Sequence, residues 1–156
     1  MPSDIQKRLQ HAVALHNSGR LTEAAAHYED VLKLQPNNAD AWNLSALIFA
    51  ATGRTEEALA RFDRAILLNP AFPEAHFNRA SVLATLKRRD EAISTYARAI
   101  ALRPDYADAH VNAAILLRRT KRHQEALAAF ARMAAACPND ARAPYGMATE
   151  AATLGD

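Results

Sequence analysis

The sequence contains two histidines at matching positions of a repeated pattern and a single cysteine. Their side chains could hold a metal ion or act as a nucleophile. His76 and His110 lie far apart in the sequence, and neither has a carboxylate or cysteine at the spacing of a metal site. Cys137 directly precedes Pro138, and the sequence fixes no histidine partner for it. We therefore interpret the two histidines as packing residues and the cysteine as an inert thiol.

The sequence also lacks the motifs of common catalytic and cofactor sites. It has no glycine-rich phosphate loop, no HExxH zinc motif and no triad motif, so we expect no enzyme activity, no metal and no cofactor. Its clearest charge clusters are basic, Lys87–Arg89 and Arg118–Arg122. Because aromatic residues do not alternate with these cations and the net charge is only +2, we do not expect a nucleic-acid partner.

Composition places the chain among folded proteins without a membrane-spanning segment. Half of its 156 residues are apolar and 23% are charged, and its one cysteine excludes an intramolecular disulfide. The sequence has neither an N-terminal basic region followed by an apolar stretch nor an apolar run of about 20 residues. These features predict a cytoplasmic protein.

The elements that position these residues recur with a period of about 34 residues, a length typical of helical repeats. Each of four successive copies contains a Glu-Ala pair, then an aromatic residue, then a proline. The alanines are Ala24, Ala58, Ala92 and Ala126. The aromatic residues are Tyr28, Phe62, Tyr96 and Phe130, and the prolines are Pro36, Pro70, Pro104 and Pro138. A proline ends a helix because it has no backbone N–H to donate. This repeat period therefore predicts pairs of antiparallel helices that stack into a solenoid.

Glycines mark the turn inside the first two helix pairs. Gly19 and Gly53 follow the first helix of each pair, where a left-handed residue commonly ends a helix. Lys87 and Lys121 occupy the equivalent positions in the next two pairs. Those turns need either a lysine in the left-handed conformation or a different turn geometry.

This pattern resembles the tetratricopeptide repeat (TPR) family across residues 5–140. The second repeat carries it most completely, with an early aromatic residue, small contact residues, a second aromatic residue and a terminal proline: Trp42, Ala46, Gly53, Ala58, Phe62, Ala65 and Pro70. The resemblance implies an all-α fold, a right-handed superhelical α-solenoid in a single domain spanning 1–156. We expect repeats at about 5–38, 39–72, 73–106 and 107–140, and an extra helix at about 141–154.

The resemblance also implies where a partner would bind. In this family the first helices line a concave groove that takes a segment of another protein, and apolar side chains mixed with amides suit a peptide. By position the groove of this chain would comprise Asn43, Leu47, Phe77, Asn78, Ser81, Val111, Asn112, Ile115, Arg118 and Arg119. The asparagines are similar to the asparagine ladder of O-GlcNAc transferase repeats, although asparagine is also common at this position of the family.

Arg118 and Arg119 suggest that the partner segment carries acidic residues, although basic residues also stabilise a helix C-terminus. The leading hypothesis is a non-enzymatic scaffold that binds a protein or peptide partner in this groove. One alternative is the N-terminal, substrate-recruiting domain of a longer enzyme such as an O-GlcNAc-transferase-like glycosyltransferase. Another is a structural module that associates with copies of itself.

Overall fold

A computed structural model of the chain describes residues 4–155. The predicted single domain of 1–156 also contains residues 1–3 and 156, which lie outside the described range. Within it the structure contains nine α-helices and no strand: α1 (Asp4–Asn17), α2 (Leu21–Leu34), α3 (Ala39–Ala51), α4 (Thr55–Leu68), α5 (Pro73–Thr85), α6 (Arg89–Leu102), α7 (Ala107–Arg119), α8 (His123–Ala136) and α9 (Arg142–Gly155). The all-α class of paired helices is confirmed. These helices form two compact units, which are divided between Val82 and Leu83, inside α5. The single domain stays a prediction.

The first unit packs its helices around alanines and a few large side chains. Ala12, Leu15, Ala24 and Tyr28 form a buried cluster between α1 and α2, which Ile48 of α3 completes. Alanine allows the two helix backbones to approach closely, while the larger residues fill the space beside the contact. A second cluster of Val31, Leu32 and Ala41 joins α2 to α3.

The turns inside the helix pairs all use the left-handed conformation. Gly19 and Gly53 have φ angles of 78° and 79°, and Lys87 and Lys121 have φ angles of 61° and 60°. Between the two geometries that the sequence leaves open, the lysines therefore take the left-handed one, at some cost in steric strain. Backbone hydrogen bonds such as that from Arg122 N to Leu117 O (2.9 Å) close these turns.

The second unit buries a glycine where α9 crosses α8. Its core contains Ala114, Leu117, Phe130, Met133 and Ala143, together with two alanines of α8. Gly146 of α9 lies against the ring of Phe130 so closely that a Cβ atom there would be 2.5 Å from three ring carbons. The absence of a side chain at residue 146 therefore sets how closely α9 approaches α8.

The second unit also buries a carboxylate in its core. Glu150 is completely buried, although Ile48, Val82 and Leu116 occupy the equivalent positions of the earlier repeats and are buried as aliphatic residues. Its Oε2 accepts a hydrogen bond from His123 Nδ1 at 2.9 Å, and its Oε1 lies 3.5 Å from Arg118 Nε. Oε1 has no hydrogen-bond partner among the described residues. The carboxylate ties α9 to both α7 and α8.

We expect Gly146→Ala to lower the free energy of unfolding by about 1–3 kcal/mol, because the new methyl group overpacks the contact with Phe130. Helix propensity alone would have the opposite effect on the free energy of unfolding, since it favours alanine over glycine by about 1 kcal/mol. Gly155→Ala is the matched control, since a Cβ at residue 155 meets nothing within 4 Å. Urea unfolding measures both. A Gly146→Ala chain as stable as the wild type would contradict the close packing of α9.

We expect Glu150→Leu to leave stability unchanged or raise it, because burying a charge costs solvation energy and leucine suits a position that is aliphatic elsewhere. His123 and Arg118 are partly exposed, so water can solvate them once the carboxylate is gone. Glu150→Ala is the control, and it should lower the melting temperature because it leaves a cavity. Equal losses in both variants would show that the carboxylate contributes a net stabilising interaction.

Candidate peptide-binding face

A pocket of about 440 Å³ opens on the first-helix side of the first unit, between α1, α3 and the residues around the start of α5. Four apolar side chains, two amides and two carboxylates line it: Leu9, Val13, Leu44, Phe72, Gln10, Asn43, Asp40 and Glu74. All of these except Phe72 belong to the first helices, on the side where the family resemblance implies a groove. Phe72 lies in the short connection between α4 and α5, where helix periodicity does not predict which way its side chain points.

Helix geometry brings these side chains to one surface. Leu9 and Val13 are four residues apart in α1, so they lie on the same face, one turn above the other. Asp40, Asn43 and Leu44 share a face of α3 for the same reason. Since α1 and α3 pack against each other, the two faces form adjoining walls. The pocket is thus a direct consequence of where the period places side chains in α1 and α3.

The two predicted groove amides of the first unit contact each other. Asn78 Nδ2 donates a hydrogen bond to Asn43 Oδ1 at 3.2 Å, and Asn43 is only 5% exposed. Asn43 uses only its Oδ1 in this bond, and its two amide hydrogens have no hydrogen-bond acceptor within residues 4–155. Asn43 is therefore held in place by Asn78 while its NH₂ group can still donate to a ligand.

The other predicted groove residues of the first unit are half-buried. Leu47, Phe77 and Ser81 each keep part of their surface accessible. The hydroxyl of Ser81 donates to the backbone oxygen of Phe77 at 3.1 Å, a bond within its own helix. None of these three residues lines the pocket described above.

In the second unit the predicted residues lie on α7. Val111, Asn112 and Ile115 are half-buried, and Asn112 Nδ2 donates to the hydroxyl of Tyr96 at 3.3 Å. Arg118 is 36% exposed and lies beside the buried carboxylate of Glu150, whereas Arg119 is exposed. The intramolecular contact with Glu150 partly neutralises the charge of Arg118. The role of these residues in binding stays a prediction.

His76 and His110 both contact the backbone of the connection that precedes their own helix. Their Nε2 atoms lie 3.1 Å and 2.8 Å from the backbone oxygens of Pro70 and Pro104. A carbonyl oxygen only accepts, so each Nε2 carries the proton and donates it to that oxygen, which fixes the orientation of the ring. Trp42, the equivalent residue of the second repeat, makes the same contact, from its indole nitrogen to Pro36 O at 2.8 Å.

Cys137 also has a structural contact. Its Sγ donates to the backbone oxygen of Asp105 at 3.4 Å. Burial, with a smaller contribution from the carboxylates of Asp105 and Asp140, raises the pKa of the thiol above its ordinary value. Since the thiolate is the reactive species, this environment favours an unreactive cysteine.

A second cavity, of about 420 Å³, opens between α2, α3 and α4 of the first unit. Its cationic side chains already have partners within the chain. Arg61 pairs with Glu29 at 2.6 Å and stacks on Phe49 with its guanidinium carbon 4.0 Å from the ring centroid. Arg54 pairs with Glu57 at 2.5 Å. This cavity therefore offers less unsatisfied charge to a ligand than the first-helix pocket does.

Within residues 4–155 no helix is both long enough and apolar enough to cross a membrane. In the same range, no three histidine, cysteine or acidic side chains are grouped so that they could hold a metal ion.

Several solved structures share this fold. MamA superposes with a TM-score of 0.83 at 22% sequence identity, over 97% of this chain and 82% of that chain. YrrB, described as a TPR protein with an unusual peptide-binding site, has a TM-score of 0.78 at 22% identity, over 97% of this chain and 78% of that one. A mutant of the O-GlcNAc transferase of Thermobaculum terrenum has a TM-score of 0.77 at 25% identity, over 86% of this chain but 27% of that one.

No curated protein matches this sequence. The sequence model of the tetratricopeptide repeat, however, matches residues 9–65, 50–102 and 86–141. These overlapping matches run through all four sequence periods, and the structural neighbours are proteins built from the same repeat. The chain therefore belongs to the tetratricopeptide repeat family.

Proposed function

We propose that this chain is a non-enzymatic protein-interaction module that binds a peptide segment of a partner on the faces formed by its first helices. The observation that carries this proposal is the first-helix pocket, in which apolar side chains surround a buried amide that still has hydrogens to donate. Ligand sites commonly combine an apolar wall with a few fixed polar groups. The likeness to YrrB, a TPR protein with a peptide-binding site, agrees with it.

The pocket suits an extended segment better than a helical one. A helix uses its own backbone carbonyls in internal hydrogen bonds, whereas an extended chain leaves them available. The Asn43 amide could donate to such a carbonyl, while an apolar side chain of the segment packs against Leu9, Val13 and Leu44. Backbone bonds would supply affinity and the apolar contact would supply specificity.

The α7 face of the second unit is proposed as a further contact surface. Val111 and Ile115 offer half-buried apolar surface, and Arg119 offers an exposed cation to an acidic residue of the partner. Arg118 contributes less charge than the sequence suggests, because Glu150 lies next to it. A cytoplasmic location also stays a prediction.

The enzymatic alternative, in which the chain recruits substrates for a transferase, is supported by the likeness to the Thermobaculum terrenum O-GlcNAc transferase. The coding sequence that follows Asp156 tests it directly. A catalytic domain encoded there would favour this alternative, and a stop codon would remove it.

We expect Gln10→Trp to weaken peptide binding about tenfold or more, because the indole fills the pocket. Gln10 is exposed, so the substitution leaves the core intact. Random dodecapeptides displayed on phage are selected on the wild-type chain, and fluorescence anisotropy gives the affinity of the selected sequences as synthetic peptides. Gln124→Trp, at an exposed position of α8, is the control and should change affinity less than twofold. Equal binding by both variants would place the peptides outside the pocket.

Self-association is a second candidate function, because α9 exposes an apolar face. Tyr145 is 76% exposed and Ala148 and Ala151 are exposed, whereas Ala114 and Leu117, the equivalents of the two alanines, are buried. An uncovered repeat surface can stack on a copy of itself.

In sedimentation velocity we expect the wild-type chain to show a concentration-dependent shift across the micromolar range. Tyr145→Lys should remove that shift, because it places a charge in the centre of the α9 face. Leu67→Lys, at an exposed position of α4, is the control and should keep the shift. A wild-type chain that is monomeric throughout rules out this second function.

A further inference from the structure

We propose that the segment bound in the first-helix pocket carries a lysine or arginine two residues away from an apolar side chain. This inference rests on the proposed function and specifies the partner of the same site. The partner is an extended peptide that carries both a basic and an apolar residue. Asp40 recognises the cation, and Glu74 also lines the pocket.

The charge of the pocket is entirely acidic. Asp40 and Glu74 are its only charged lining residues, and the other six are apolar or amides. Asp40 forms no salt bridge among the described residues, so its negative charge beside the apolar wall attracts a cation bound there. The pocket is therefore complementary to a basic side chain and opposed to an acidic one.

Asp40 differs from the acidic residues at the starts of the second helices. Glu23, Glu57, Glu91 and Glu125, in the first turns of α2, α4, α6 and α8, each pair with an arginine three residues earlier. Asp40, which is exposed, forms no salt bridge within residues 4–155. Stabilisation of the helix N-terminus explains an acidic residue at this position, but it does not explain why no arginine among the described residues pairs with it.

The chain itself makes the proposed contact at an equivalent position. In the register of the repeats, Asp40 and Glu74 correspond to Asp108 and then to Arg142. In the second unit Arg142 Nη1 lies 2.7 Å from Asp108 Oδ1, so an arginine neutralises the carboxylate at the start of a first helix. In the first unit the residue that follows Asp40 in this series is Glu74, so the described residues provide no cation for Asp40 at that position.

Asn43 provides the second, independent observation. It is nine-tenths buried, it lines the same pocket, and its NH₂ group has no acceptor among the described residues. Asp40 precedes Asn43 and Leu44 by one helical turn, about 5 Å along the axis. In an extended peptide, residues i and i+2 lie on the same side about 6.6 Å apart. A basic residue facing Asp40 therefore places the apolar residue two positions away beside Leu44.

The experiment uses the peptides selected on the intact wild-type chain. We expect the selected sequences to be enriched in Lys or Arg two positions from Leu, Ile, Val or Phe. Asp40→Asn/Glu74→Gln should weaken their binding about tenfold and reduce its salt dependence, because the attraction between exposed charges is screened by salt. Glu56→Gln, which removes an exposed first-turn acid of α4 outside the pocket, is the control and should change affinity less than twofold.

A double-mutant cycle separates charge recognition from a structural effect. Replacing the basic residue of the peptide by norleucine should weaken binding to the wild-type chain but not to the Asp40→Asn/Glu74→Gln chain. Circular dichroism confirms that each variant is folded. If the double variant is unfolded, Asp40→Asn alone takes its place, since Asp40 is exposed.

The outcomes distinguish this inference from the proposed function. Selected peptides without a basic residue, or peptides that bind the Asp40→Asn/Glu74→Gln chain as tightly as the wild type, overturn the inference. The proposed function still stands in that case if Gln10→Trp abolishes binding. If Gln10→Trp has no effect, or if no peptide is selected, both are wrong.

Discussion

The close contact of two helix backbones through fully buried alanines is the constraint on which the rest of the structure depends. The alanines of this contact are completely buried in the first, second and fourth repeats: Ala12, Ala24, Ala46, Ala58, Ala114 and Ala126. A larger side chain at these positions would separate the helices and open the space that the aromatic residues fill. The contact leaves little freedom at the buried positions, so binding specificity must come from the residues between them.

A second recurring interaction fixes the connection between repeats. The prolines that follow α2, α4 and α6 each have a carbonyl oxygen that accepts a hydrogen bond from the residue six positions later. Tryptophan and histidine both make this contact, because each carries a ring N–H. Two aligned histidines thus arise from a repeated packing requirement, and their alignment gives no information about metal binding.

The sequence predicts the helices closely because their ends depend on local residues. The four prolines of the repeat predict where the second helices end, and α2, α4, α6 and α8 each end two residues before one of them. Left-handed residues close the turns that follow the first helices. The period also places Leu9, Val13 and Leu44 on the first-helix surface where the pocket lies. Positions within a helix follow from counting residues, so this part of the site could be predicted.

The contacts that the sequence does not predict join residues far apart in the chain. Phe72 enters the pocket from a connection that has no periodicity, and nothing in the pattern indicates that Glu150 is buried against His123. The same is true of the ion pair between Arg142 and Asp108. Such pairs depend on side-chain directions and on the distance between packed helices, which a pattern of residue types does not contain.

The departures from the repeat have different consequences in the two units. In the second unit they contact one another, because Arg142 pairs with Asp108, and Glu150 binds His123 and lies 3.5 Å from Arg118. In the first unit Asp40 has no arginine within the described chain, and Asn43 keeps amide hydrogens without an acceptor there. Polar groups without a partner in the chain can bind a ligand's polar groups, while the adjoining apolar surface removes the ligand's apolar part from water. Of the two units, the first therefore has the polar groups and apolar surface that a partner could contact.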